Sequence, residues 1–195
     1  YYPLSDYKHA RLTRNVDDIL FNAGIDFRPI SGLTVSAKYQ FEKQRLLTEN
    51  LNDENSYYAR DLVNSFTEIG TDNKLNYRIP VGGVVDNGYA STTSNNFRGQ
   101  AAYLNKWKVH ELTALVGGEV LLRHDKSNSS RLYGFNKDIL TFGTVDYKNQ
   151  YRDLVTGILR FIPDNAGIAE NQRNFLSFFS SMAYNYRARY FVTLS

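Results

Sequence analysis

The residues able to do chemistry are few. His9, His110 and His124 match no metal-ligand spacing, and the chain has no cysteine. Thiolate metal sites, disulfide frameworks and cysteine nucleophiles are therefore excluded. Asp53-Glu54 lacks the Asp-x-Asp-x-Asp-Gly frame of a calcium loop and reads as a solvated acidic stretch. Gly82-Gly83 and Gly117-Gly118 lack the strand, turn and lysine of a phosphate loop. Gly117-Gly118 inside a strand reads as a bend or a close backbone approach. Glu111 and Glu119 share a strand parity but stand eight residues apart. That is roughly 27 Å, too far to flank one glycosidic bond, so they read as lining residues beside Arg98 or Arg123. No Gly-x-Ser-x-Gly elbow occurs. No catalytic residue, cofactor or metal site is assigned. Tyr57, Tyr58 and Arg60 remain as candidate contacts, able to stack on or hydrogen-bond a sugar or peptide, or to pack against a partner protein.

The elements that must position these residues are strands. From Leu33 to Phe41 the apolar residues Leu33, Val35, Ala37, Tyr39 and Phe41 alternate with Thr34, Ser36, Lys38 and Gln40. A period of two puts one set on each face of a strand. Upstream, Phe21, Ala23, Ile25 and Phe27 alternate in the same way, and Arg28-Pro29-Ile30-Ser31-Gly32 between the two runs marks a hairpin. The unit recurs from Phe97 to Tyr103, through a polar connection at 105–109, to Leu112–Leu122. A third copy runs from Leu176 to Tyr184 and from Tyr190 to Leu194, across 185–189. Between these hairpins lie two long links, 44–95 and 124–171, rich in Asn, Asp, Ser, Gly and Tyr. Within the first, Tyr58, Leu62 and Phe66 are spaced for a short helix, and Asp72-Asn73 for a turn.

Composition narrows the setting. No run of eighteen apolar residues is present, so a transmembrane helix is excluded. The negative mean hydropathy does not exclude a barrel, whose wall is apolar only at every second residue. A net charge of +3 with scattered Lys and Arg gives no basic stripe for nucleic acid. Alternation alone fits two architectures. In a soluble sandwich the apolar row is covered by a second sheet. In a membrane barrel it meets lipid, and Lys38, Gln40 and Glu42 face a wet lumen. The order short, long, short, long, short favours the barrel, because compact soluble domains have connections of roughly 4–6 residues. Barrels join short periplasmic turns to longer extracellular loops. Tyr103, Trp107, Tyr184, Tyr186 and Tyr190 cluster at the short turns, as in an aromatic girdle on the periplasmic side.

An ordered set of segments also resembles a known family. It comprises Tyr1–His9 (YYPLSDYKH), Asp53–Thr67 (DENSYYARDLVNSFT), Gly82–Asp86, Arg98–Gln100, Leu132–Asn136, Thr141–Tyr147, and Ala183–Tyr186 with Arg189–Phe191. Together these are similar to the SusC/RagA-type TonB-dependent outer-membrane transporters. The resemblance implies an all-β fold of antiparallel hairpins, with 1–195 forming about six strands of a large transmembrane barrel with long extracellular loops. A plug and an N-terminal domain would lie outside this stretch. It further implies import of a glycan or peptide across the outer membrane of a Gram-negative bacterium. The expected partners are a SusD-like surface lipoprotein, outer-membrane lipid, and the TonB complex acting through regions not included here. Two alternatives stay open: a secreted or surface β-sandwich binding or adhesion module with long recognition loops, and a barrel enzyme.

Overall fold

The computed structural model describes residues 3–195; Tyr1 and Tyr2, which begin the first family-like segment, lie outside the described residues. The fold is all-β and antiparallel, 69% strand and 7% helix. A 3-10 helix, Pro3–Lys8, leads into β1 (Ala10–Ile30) and β2 (Leu33–Asn52). Then follow α1 (Tyr57–Ser65), β3 (Thr67–Ile69), β4 (Leu75–Tyr77), β5 (Gly83–Trp107) and β6 (His110–Asn136). The chain ends with β7 (Thr141–Gly143), β8 (Gln150–Arg152), β9 (Leu159–Phe161), β10 (Gly167–Tyr186) and β11 (Tyr190–Leu194). The main sheet has the order β1-β2-β5-β6-β10-β11, with β7 added on β6, and β3-β4 and β8-β9 form separate two-stranded sheets. The described residues do not close a barrel.

All three expected hairpins are present, and the third pairs Met182 with Leu194 through Tyr186 with Tyr190. The strands are longer than the alternation marks: β5 has 25 residues and β6 has 27. The expected links 44–95 and 124–171 therefore shrink to 53–82 and 137–166. Their flanks are polar on both faces, as in Ser91–Asn96 and Ser127–Ser130, so they hide the period of two while still pairing.

Contacts divide the chain into two compact units. One holds the residues up to Val16, Arg45–Ala90 and Ser127–Ala169; the other holds Asp17–Gln44, Ser91–Lys126 and Glu170–Ser195. The first contains both links and has its own core. Ser56 caps α1, its Oγ accepting the Ala59 N–H at 3.1 Å, which satisfies one of the orphan donors of the first turn. Ala59, Leu62, Val63 and Phe66, at i, i+3, i+4 and i+7, form the buried stripe expected of an amphipathic helix. They pack on Ile79, Val84, Tyr133 and Ile162, with Val145, Tyr147 and Tyr151 at the margin. Each large side chain buried here contributes roughly 1.5–3 kcal/mol. Pro80 nests against two glycines. A Cβ on Gly134, whose φ is +63°, would meet the proline Cβ at 2.7 Å, and one on Gly143 would meet its Cγ at 2.5 Å.

The second unit is organised by its two faces. Phe21, Tyr39 and Phe97 form one ring series, with centroids 6.4 and 4.7 Å apart. Asn96, Arg98 and Glu119 meet on the opposite face, with Asn96 Nδ2 donating to Glu119 at 2.9 Å and Arg98 at 3.7 Å from it. The parity of the sequence is thus the parity of the sheet. Val35, Ala37, Tyr39, Ala101, Ala114, Val116 and Val120 share the apolar face; Ser36, Lys38, Gln40, Arg98 and Glu119 share the polar one. No second sheet covers the apolar row among the described residues: Phe21 is 54% exposed, Ile25 68% and Phe178 80%. Gly117 makes room on the polar face. A Cβ there would collide with the Phe179 ring and come within 2.7 Å of the Gly99 carbonyl, so the close-approach reading of this pair holds.

Candidate functional site

On the polar face of the second unit, β1, β2, β5 and β6 line a concavity of about 510 Å³ with Asn22, Lys38, Gln40, Asn96, Arg98 and Glu119. Arg98 is held from both sides. Its guanidinium lies 4.6 Å from the centroid of the Phe179 ring and 3.7 Å from Glu119, a cation-π contact backed by an ion pair. The Asn96 Oδ1 is buried and accepts no hydrogen bond. Glu111 pairs with Lys106 at 2.8 Å rather than with an arginine, and Arg123 pairs with Asp125. Amides, two cations and one carboxylate give a surface that donates and accepts hydrogen bonds.

The link-bearing unit holds a tighter cluster. Arg131 on β6 donates to Asp86 on β5 through Nε at 2.6 Å and Nη2 at 2.7 Å, and its side chain is only 6% exposed. The guanidinium also lies 5.7 Å from the Tyr58 ring centroid and 5.9 Å from that of Tyr133. Asn165 donates to Asp86 at 3.0 Å, and the Tyr133 hydroxyl donates to the Pro163 carbonyl at 2.7 Å. One bidentate pair therefore ties α1 in the first link to 163–165 in the second.

The second link is braced by carboxylates. Asp146 accepts from Asn149 at 2.6 Å, from the Lys148 N–H at 2.8 Å and from the Tyr151 hydroxyl at 2.8 Å. These bonds, Asn149 first, hold its carboxyl down to about 2. Asp153 accepts from the backbone N–H groups of Thr156 and Val155 and pairs with Arg160 at 2.6 Å. The Thr156 N–H is the main cause of its lowered pKa.

Of the residues singled out by sequence, Tyr57, Tyr58 and Arg60 lie together on the exposed side of α1. Tyr58 reaches Arg131, while the Tyr57 N–H donates to Asp6 at 2.7 Å. Four of the five expected girdle aromatics gather around His110. Its ring is 5.5 Å from Trp107, 6.0 Å from Tyr184 and 5.1 Å from Tyr186, and Tyr190 lies 6.3 Å from Tyr186. The fifth, Tyr103, stands apart, its hydroxyl accepting from Asn105 at 2.9 Å. Sequence reading missed Arg131 as a site residue. Only a known β5-β6 register brings it to Asp86, and the turn at 108–109 supplies that register: 107 faces 110, so 86 faces 131.

No protein-family model matches the chain, and no curated protein matches it. Solved structures do. The chain aligns with one titled "Structure of the RagAB peptide transporter" at a TM-score of 0.65 and 19% identity, over 93% of this chain and 17% of that one. The two share a fold. The RagAB peptide importer aligns in its "closed-closed" state at a TM-score of 0.63 and 19% identity, over 92% of this chain and 17% of that one. In its "open-open" state it aligns at 0.61 and 20%, over 93% and 17%. The chain thus spans 17% of the length of each of these neighbours. At such identity the likeness is one of fold, and it covers both the sheet and the links.

Proposed function

We propose that residues 1–195 form part of the wall and outer loops of a large outer-membrane β-barrel that imports a nutrient in a TonB-dependent manner. The carrying observation is the two-faced sheet of the second unit. Its apolar row has no second sheet over it among the described residues, its strands β2, β5 and β6 are long enough to cross a membrane at a tilt, and its opposite face is polar and concave. Lipid solvates such a row at no cost, whereas Lys38 or Arg98 on the lipid side would cost about 2–4 kcal/mol near the midplane. The fold shared with a peptide transporter supports the same reading and favours a peptide as cargo, with a glycan as the other candidate. In this reading Tyr57, Tyr58 and Arg60 contact the cargo or a SusD-like lipoprotein. Tyr103, Trp107, Tyr184, Tyr186 and Tyr190 sit at the periplasmic interface. The sandwich alternative lacks a second sheet over the apolar row in the described residues. The fold shared with a transporter favours transport over the enzyme alternative.

Residues 1–195 carry no cysteine, so single cysteines placed here, in a protein cleared of any others, give a direct test. Val35→Cys, Val116→Cys, Gln40→Cys and Ser94→Cys are introduced singly into the complete protein in bilayers. The first two should react with a lipid-phase maleimide and the last two with an aqueous one. Protection of Val35→Cys and Val116→Cys from both reagents would refute the membrane reading. Uptake of labelled peptides against labelled oligosaccharides by cells with and without the protein then decides the cargo.

A further inference from the structure

Basic charge is concentrated in two short turns. Residues 105–111 and 185–191 carry Lys106, Lys108, Arg187 and Arg189 against Glu111 alone, a balance of +3 that equals the formal net charge of the whole chain. Elsewhere the cations and acids cancel. The two turns are locked side by side, the Arg187 N–H donating to the Val109 carbonyl at 2.7 Å. Between them lies a concavity of about 410 Å³ lined by Lys106, Lys108, His110, Glu111, Asn185 and Arg187. Its one carboxylate is already engaged by Lys106 at 2.8 Å. Lys108 and Arg187 adopt φ values of 52° and 51°, which hold their side chains at the turn apices. Directly next to this pocket are the stacked rings of Trp107, His110, Tyr184 and Tyr186, with His110 Nδ1 bonded to the Tyr184 hydroxyl at 2.6 Å. The apolar row continues beyond them.

From this order of apolar row, amphipathic rings and cationic pocket, we infer that the paired turns bind the phosphate of an anionic glycerophospholipid in the adjoining leaflet. Rings of this kind settle at the headgroup level. Long basic side chains beyond them extend toward the phosphates. A soluble acidic protein would find the same charge, but it would leave the rings and the apolar row beside it without a role. The inference rests on the membrane reading above and goes further, since it concerns lipid selection at one rim.

The test uses the complete protein in nanodiscs of phosphatidylcholine with a minor share of phosphatidylglycerol. Co-purified lipid is counted by native mass spectrometry after mild delipidation. Wild type should retain phosphatidylglycerol over phosphatidylcholine. The variant Lys108→Gln/Arg187→Gln/Arg189→Gln should lose that preference, by about fivefold for each cation removed. Lys148→Gln, in a link, should keep it. Should the triple variant misfold, Lys108→Gln alone and a salt series on wild type give the same reading, because added salt screens exposed cations. Equal enrichment in wild type and variants would overturn the inference while leaving the membrane reading intact. Displacement of the lipid by millimolar inorganic phosphate would make it a free-phosphate site and also overturn it. Failure to enter the bilayer would overturn both readings together.

Discussion

Asp86→Leu is the most informative single change in the link-bearing unit. It strands the Arg131 guanidinium, whose side chain is 6% exposed, without its bidentate partner. Breaking a buried pair by removing one member costs about 3–5 kcal/mol. Asp86 itself is 23% exposed, so part of its charge was already solvated, and an estimate of about 2–4 kcal/mol follows after that discount. The loss also frees Asn165 and loosens Tyr58 and Tyr133, which face the same guanidinium. Amide hydrogen exchange of Leu62, Val63 and Phe66 reads the opening of α1 directly. Their protection should fall by about 30- to 700-fold, the equivalent of that range at 1.4 kcal/mol per decade. Asp86→Leu/Arg131→Met should recover much of the protection, since an apolar pair replaces a buried ionic one at little cost. The reasoning is refuted if α1 exchanges as in wild type after Asp86→Leu, or if the double variant loses the sum of the two single losses.

Gly117→Val should destabilise the main sheet by roughly 1–3 kcal/mol, read as a lower urea midpoint, because the new side chain meets the Phe179 ring and the Gly99 carbonyl; Gly99→Ala, where a Cβ meets nothing within 4 Å, should be near neutral. Arg187-Ala188 form the centre of a turn with φ values of 51° and 56°, a conformation that costs an L-residue about 1–2 kcal/mol, so Ala188→Gly should raise the urea midpoint, and a lower one would speak against the turn geometry. The second link depends on pH: Asp146 has its pKa lowered from 3.8 to about 2 and Asp153 is shifted the same way. A depressed folded pKa means that their contribution is full above about pH 4 and is lost as pH falls toward 2. Native proteolysis of 144–160 should therefore quicken below pH 4, and a loop that instead opens on raising the pH from 5 to 8 would contradict the assignment.

Where one face of a strand is apolar and the other polar, sequence alone was enough. Phe21–Phe27, Leu33–Phe41 and Phe97–Tyr103 reveal their faces because nearly every second residue is apolar, and a slip of one position would invert them. The same rule fails for Ser91–Asn96 and Ser127–Ser130, where both faces are polar and neither register nor length leaves a mark. In α1, the spacing of Tyr58, Leu62 and Phe66 finds the helix but misplaces its buried stripe. Ala59 is small enough to let the backbone approach the core, so Tyr58 turns outward to Arg131. The Asp86–Arg131 pair spans 45 residues, and it is legible only once the turn between them is fixed at 108–109 and the strands are carried through their polar flanks.

The uncovered apolar face of the second unit carries the argument for the membrane reading. The link-bearing unit builds a core, although Ile139, Leu140, Val155 and Ile158 stay at least 65% exposed. It caps its helix, buries Phe66 and Ile79 completely, and pairs Arg131 before burying it. The other unit leaves Phe21, Ile25, Phe27 and Phe178 at least half exposed while spending its polar residues on the opposite, concave side. In water each such ring or branched chain forgoes roughly 1.5–3 kcal/mol of burial. An open apolar face beside a polar, concave one is coherent if the two faces meet different solvents. The exchange at Val116→Cys, with an aqueous reagent on one side and a lipid-phase reagent on the other, measures that difference at a single residue.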